Sequence, residues 1–94
     1  MEKLYCIIVH WAAGTPDVEK IERAINPSGR WLRFSTGGWL YWSTLSSQEI
    51  YNIIAPSLTT NESEIIIQTD EQNWYGFAQP WVWNWIKSRG HSLT

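Results

Sequence analysis

Residues 30–44, Arg-Trp-Leu-Arg-Phe-Ser-Thr-Gly-Gly-Trp-Leu-Tyr-Trp-Ser-Thr, constrain this chain more than any other stretch. Two aromatic-rich runs flank Gly37-Gly38, and paired glycines supply the positive φ angles that a tight hairpin turn needs. With that turn, Thr36 stands opposite Trp39, Phe34 opposite Tyr41, and Arg33 opposite Trp42. One face of the ribbon then carries Leu32, Phe34, Trp39 and Tyr41, and the other Trp31, Arg33, Leu40 and Trp42. Both faces are apolar, so each has to be covered.

The rest of the chain supplies one cover readily. Leu4 to Val9 is short, apolar and rich in β-branched residues, as a buried strand is. Thr15 is placed as an N-cap with Pro16 in the first helical turn, and Val18, Ile21 and Ile25 follow on one helical face. Glu19 and Arg23 can pair on the outer side. Beyond the hairpin, Ser46 and Glu49 have capping-box spacing, with Leu45 and Ile50 as a hydrophobic staple. Ile50, Ile53 and Ile54 form the buried face, and Pro56 ends that helix. Glu64 to Thr69 is a strand centred on three isoleucines. Strand, helix, strand, strand, helix, strand is the order of the ferredoxin-like split unit, an α+β fold with both helices on one face of an antiparallel sheet.

Residues 73–89 stand outside that unit, whose core is 3–70, although 1–94 reads as a single domain. In the run Trp81-Val82-Trp83-Asn84-Trp85-Ile86-Lys87 the alternating indoles suit a strand. A helical reading pairs Trp81 with Trp85 and Val82 with Ile86, after Pro80 as opener, and is preferred here. No internal repeat accompanies it.

Composition narrows the partners. Seven basic against nine acidic side chains leave a net charge of −2, without the basic excess of a protein that grips long nucleic acid by its phosphates. Eight tryptophans exceed what one small core requires, and indoles suit interfaces and stacking on flat ligands. Cys6 is the only cysteine, so no internal disulfide or cysteine metal cluster can form. The longest apolar run is too short for a bilayer, and no signal peptide pattern opens the chain. The cytoplasm is the expected compartment.

Several segments resemble the SinR-like proteins of bacteria. They are Trp31, Ser35-Thr36-Gly37-Gly38-Trp39, Thr44-Leu45-Ser46-Ser47-Gln48-Glu49-Ile50, Ala55-Pro56-Ser57-Leu58, Trp74-Tyr75-Gly76-Phe77 and Trp85-Ile86-Lys87. These are small ferredoxin-fold relatives of the nuclease-like subunit used in CRISPR spacer acquisition. The resemblance spans most of residues 3–88 and implies a homodimer joined through sheet faces or edges. In the CRISPR subunit it also implies an aspartate at the end of the first strand, holding a divalent metal. Here those positions read Val9-His10-Trp11, and no carboxylate lies between Glu2 and Asp17.

Candidate chemistry is sparse. His10, Trp11, Thr36, Gly37, Gly38, Glu62 and Glu64 are expected on one rim, where a histidine and a glutamate could serve acid–base work or bind metal. A partly exposed strand-end histidine is the simpler reading. No nucleophile motif or phosphate-cradling glycine loop occurs, and Asp70-Glu71 reads as a solvated turn. The remaining signal is Trp31, Arg33 and Trp42 on one hairpin face with Arg30 adjacent. Such a set either holds a base and a phosphate or forms a dimer interface.

The expectation is a non-enzymatic homodimeric module binding a nucleotide or short oligonucleotide through Trp31, Arg33, Trp42, Arg30, His10 and Trp11. No cofactor, metal or membrane is involved. Prokaryotic defence or phage counter-defence is a fitting setting. The alternative is a divergent metal-dependent nuclease of the CRISPR-adaptation kind.

Overall fold

A computed structural model describes residues 1–12, 14, 16–70, 72, 75–76 and 78–91. Four strands, β1 (Lys3–His10), β2 (Gly29–Ser35), β3 (Gly38–Ser43) and β4 (Ser63–Gln68), form one sheet in the order β2-β3-β1-β4, with every pair antiparallel. Helix α1 (Val18–Ile25) joins β1 to β2, and α2 (Ser47–Ile54) joins β3 to β4. This α+β arrangement is compatible with a small ferredoxin-like fold. A third helix, α3 (Pro80–Lys87), follows the sheet.

The first face of the sheet is sealed by α1 and α2. Ile21 and Ile25 from α1, and Ile50 and Ile54 from α2, are wholly buried against Tyr5, Ile7, Val9, Trp39 and Tyr41. Burial of each such side chain contributes about 1.5–3 kcal/mol. The tyrosine hydroxyls within this core stay satisfied: Tyr41 Oη donates to Ile25 O (2.6 Å) and Tyr5 Oη to Leu45 O (2.5 Å). Helix α2 starts with the capping box, Glu49 N donating to Ser46 Oγ and Ser46 N to Glu49 Oε1. Helix α1 starts later than Thr15 and Pro16 suggest. Its N-cap is Asp17, whose carboxylate accepts from Lys20 N, and Thr15 lies outside the described residues. Arg23 and Glu19 pair at 3.6 Å on the exposed side.

The second face is covered in part by α3. Val82, Trp85 and Ile86 are buried against Leu4, Leu32 and Trp42. The helix ends in a Schellman motif: Gly90 N donates to Trp85 O and Arg89 N to Ile86 O. The left-handed residue of that motif is Arg89, at φ 58°, where glycine is usual.

The hairpin register differs from the expected one. Thr36 and Gly37 make the turn, Ser35 pairs with Gly38, and a bulge between Arg33 and Ser35 brings Arg33 opposite Trp39. Trp31 then lies opposite Tyr41 and Arg30 opposite Trp42. The slip moves Arg33 three residues along β3, an odd number, so β2 is inverted relative to β3. Trp31 and Arg33 share the first face with Trp39 and Tyr41, whereas Leu32, Phe34, Leu40 and Trp42 share the second. The cause is long-range. Gly37 O accepts from Val9 N (2.8 Å), which anchors the turn on β1, and a Cβ at Gly37 would sit 2.6 Å from Val9 O. Close approach is what these glycines provide, since the glycines with positive φ are Gly14 and Gly90.

Candidate functional site

The inverted register disperses the expected ligand cluster. Trp31 and Arg33 lie on one face, and Trp42 and Arg30 on the other. Trp31 is half-buried against the first core, and its Nε1 donates to Asn26 Oδ1 (3.0 Å). The hollow beside it is walled by Glu19, Glu22 and Arg23, an acidic balance that repels a phosphate. Trp42 is 2 % exposed, with Arg89 at 5.3 Å from its ring centroid, so no ligand can stack on it. Arg30 donates from Nε to Arg89 O (2.6 Å) and pairs with Glu2. The bond to the Arg89 carbonyl ties the α3 terminus to β2, and the Glu2 pair ties β2 to the residue before β1.

The rim at the end of β1 does assemble, and its polar groups close the sheet. Trp11 Nε1 donates to Thr36 O (2.6 Å). Glu62 accepts from Thr59 N (3.0 Å) and Ala12 N (3.4 Å), and the Thr59 bond leads the effects that hold its carboxyl below the usual value. His10 and Glu64 make no catalytic pair. Val9 opposes Glu64 on the first face, while His10 opposes Ser63 on the second. Glu64 Oε1 is buried without a hydrogen-bond partner, and desolvation pushes the carboxyl up to about 7. Burial also raises the Cys6 thiol, which disfavours a thiolate nucleophile. Among the described residues no three His, Cys, Asp or Glu side chains converge as metal ligands.

What the structure adds lies around the segment leading into α3. A cleft of about 570 Å³ opens between β2 and residues 78–82, lined by Leu32, Arg33, Phe34, Pro80, Trp81 and Val82 among others. A second cleft, of about 440 Å³, shares Phe34 and Val82 and continues to Cys6, Leu40, Tyr75 and Trp83. Phe34 is 63 % exposed and Trp81 44 %, unusual values for rings of that size. The Arg33 side chain is 42 % exposed, with its Nε 3.4 Å from Glu22 Oε2. Neither Phe34 nor Trp81 stands out as a ligand residue in the sequence. The signal is an aromatic at the bulge and an aromatic in the first helical turn, and it becomes readable only once α3 is docked beside β2.

No protein-family model matches this chain, and comparison with curated proteins and with solved structures finds no match either. No helix among the described residues is long and apolar enough to cross a membrane.

Proposed function

We propose that this chain is a non-enzymatic, homodimeric binding module that takes a nucleotide or short oligonucleotide into the cleft between β2 and residues 78–82. The observation that carries this reading is that Arg33 and the exposed rings of Phe34 and Trp81 line one open cleft. An aromatic face stacks on any base, worth about 1–3 kcal/mol, and the half-exposed Arg33 guanidinium, at the cleft's edge, meets a phosphate by turning from Glu22. The net charge of −2 favours a small ligand over a long duplex. Of the residues singled out in the sequence, Arg33 stays in the site, while Phe34 and Trp81 replace Trp31 and Trp42 as stacking surfaces.

Kinship with the SinR-like proteins, and with it a setting in prokaryotic defence or phage counter-defence, is part of the proposal. The element order and the all-antiparallel sheet support it. The homodimer is supported by the apolar strip of Ile8, Ile65 and Ile67, which α3 leaves uncovered. The nuclease alternative gains nothing from the geometry, because His10 and Glu64 lie on opposite faces.

The test is a fluorescence titration with mononucleotides, cyclic dinucleotides and short single strands. Binding should quench indole emission. Arg33→Ala should weaken it by ~1.5–3 kcal/mol at unchanged melting temperature, and Trp81→Ala should remove most of the quench. Absence of any quench at millimolar ligand sinks the nucleotide reading.

A further inference from the structure

The two edges of the sheet are built differently. β2 carries Arg30 and Arg33 and is bulged between Arg33 and Ser35. Charges and bulges are how natural sheets keep a foreign strand from adding. β4 reads Ser-Glu-Ile-Ile-Ile-Gln, with no proline, no basic residue and no bulge in its ladder to β1. Its second-face side chains Ile65 and Ile67 are exposed, as is the neighbouring Ile8.

Among the described residues no strand pairs with the outer backbone of that edge. Thr69 N donates to Leu4 O (2.8 Å), which sets the alternation of the β1–β4 ladder. Ser63, Ile65 and Ile67 therefore turn their backbone groups toward β1, and Glu64, Ile66 and Gln68 turn theirs outward. No described strand lies on that side.

We infer that β4 pairs antiparallel with β4 of a second copy of this chain, about a two-fold axis at Ile66, to make one continuous sheet. This names the surface used by the homodimer proposed above, and it rests on that reading. This register alone sets all three isoleucines of β4 against isoleucines. Ile66 meets the partner's Ile66, Ile65 meets the partner's Ile67, and Glu64 meets the partner's Gln68. Sliding by one two-residue step sets Ile66 against the partner's Gln68 and Ile65 against the partner's Thr69; sliding the other way sets Ile66 against the partner's Glu64 and Ile67 against the partner's Ser63. The pairing also brings the exposed isoleucines of the two copies side by side, where cross-strand contact shields them.

Sedimentation at micromolar concentration reads the outcome on four proteins. The wild-type chain should run at twice the 11.0 kDa of one copy. Ile65→Lys with Ile67→Lys should run as a monomer, because the introduced charges face each other across the axis. Ile65→Lys with Ile67→Glu should restore the dimer, since opposite charges then meet. Trp81→Ala, remote from β4, should leave the dimer intact. Circular dichroism and melting temperature confirm that each variant is folded; both β4 positions are already exposed, so the monomer fold should persist. A wild-type monomer overturns this inference and the homodimer reading together. A dimer indifferent to the double lysine variant overturns the β4 surface and leaves a homodimer through another one. Loss of the dimer by both β4 variants overturns the register.

Discussion

The Arg89 guanidinium lies 5.3 Å from the ring centroid of Trp42, although its own backbone sits in the left-handed region at φ 58°. A non-glycine residue pays roughly 1–2 kcal/mol in that conformation. The contact with Trp42 offsets it by about 0.5–1 kcal/mol, and the Arg89 carbonyl receives Arg30 Nε as well.

Arg89 substitutions should separate these effects. Arg89→Ala keeps the backbone strain and loses the contact, so it should destabilise by about 0.5–1 kcal/mol. Arg89→Gly loses the same contact but relieves the strain, and should recover about 1 kcal/mol relative to the alanine variant. Urea melts of the three proteins decide it. An alanine variant at least as stable as the glycine variant contradicts the account.

Gly37→Ala should cost about 1–3 kcal/mol, because the new methyl would meet Val9 O, a backbone atom that cannot swing aside. Gly38→Ala should be milder. Its Cβ would meet Ser35 Oγ at 2.9 Å, and a hydroxyl can change rotamer. Equal losses at the two sites would mean that the Gly37 turn is not pinned on β1.

Glu64 should give the fold a pH dependence of unusual sign. Its carboxyl is raised by desolvation from 4.5 to about 7 in the folded chain. Below the unfolded value both states hold the proton and the contribution to stability is whole. As pH rises toward 7 the unfolded state ionises first, so that contribution declines, and it is gone above the folded value. The melting temperature should therefore fall between about pH 5 and about pH 8, and Glu64→Gln should flatten the fall. Parallel profiles for wild type and variant would refute the assignment.

Neither DNA nor RNA should be cleaved in the presence of magnesium or manganese. Cleavage that disappears on His10→Ala or Glu64→Ala would promote the nuclease alternative over the binding module.

The local elements were legible in the residues because their causes are local. The Ser46 and Glu49 capping box, the isoleucine spacing of α1 and α2, and the β-branched runs of β1 and β4 each act within a few positions of the chain. The strand order of the sheet then follows from connection lengths and handedness. The hairpin register was not legible, although both strands and their internal alternation were. Two-residue periodicity tells which side chains of one strand share a face, but not which face of its neighbour they join. That choice belongs to the hydrogen bond from Val9 N to Gly37 O, between residues far apart in sequence, and to the bulge beside Arg33. The docking of α3 is likewise tertiary. Its apolar residues fit any greasy surface, and only the Trp42 face, with the tie from Arg30 to the Arg89 carbonyl, decides where it lies. The cleft at Arg33, Phe34 and Trp81 depends on both decisions. For that reason the sequence carried its residue types, while packing alone assembled the site.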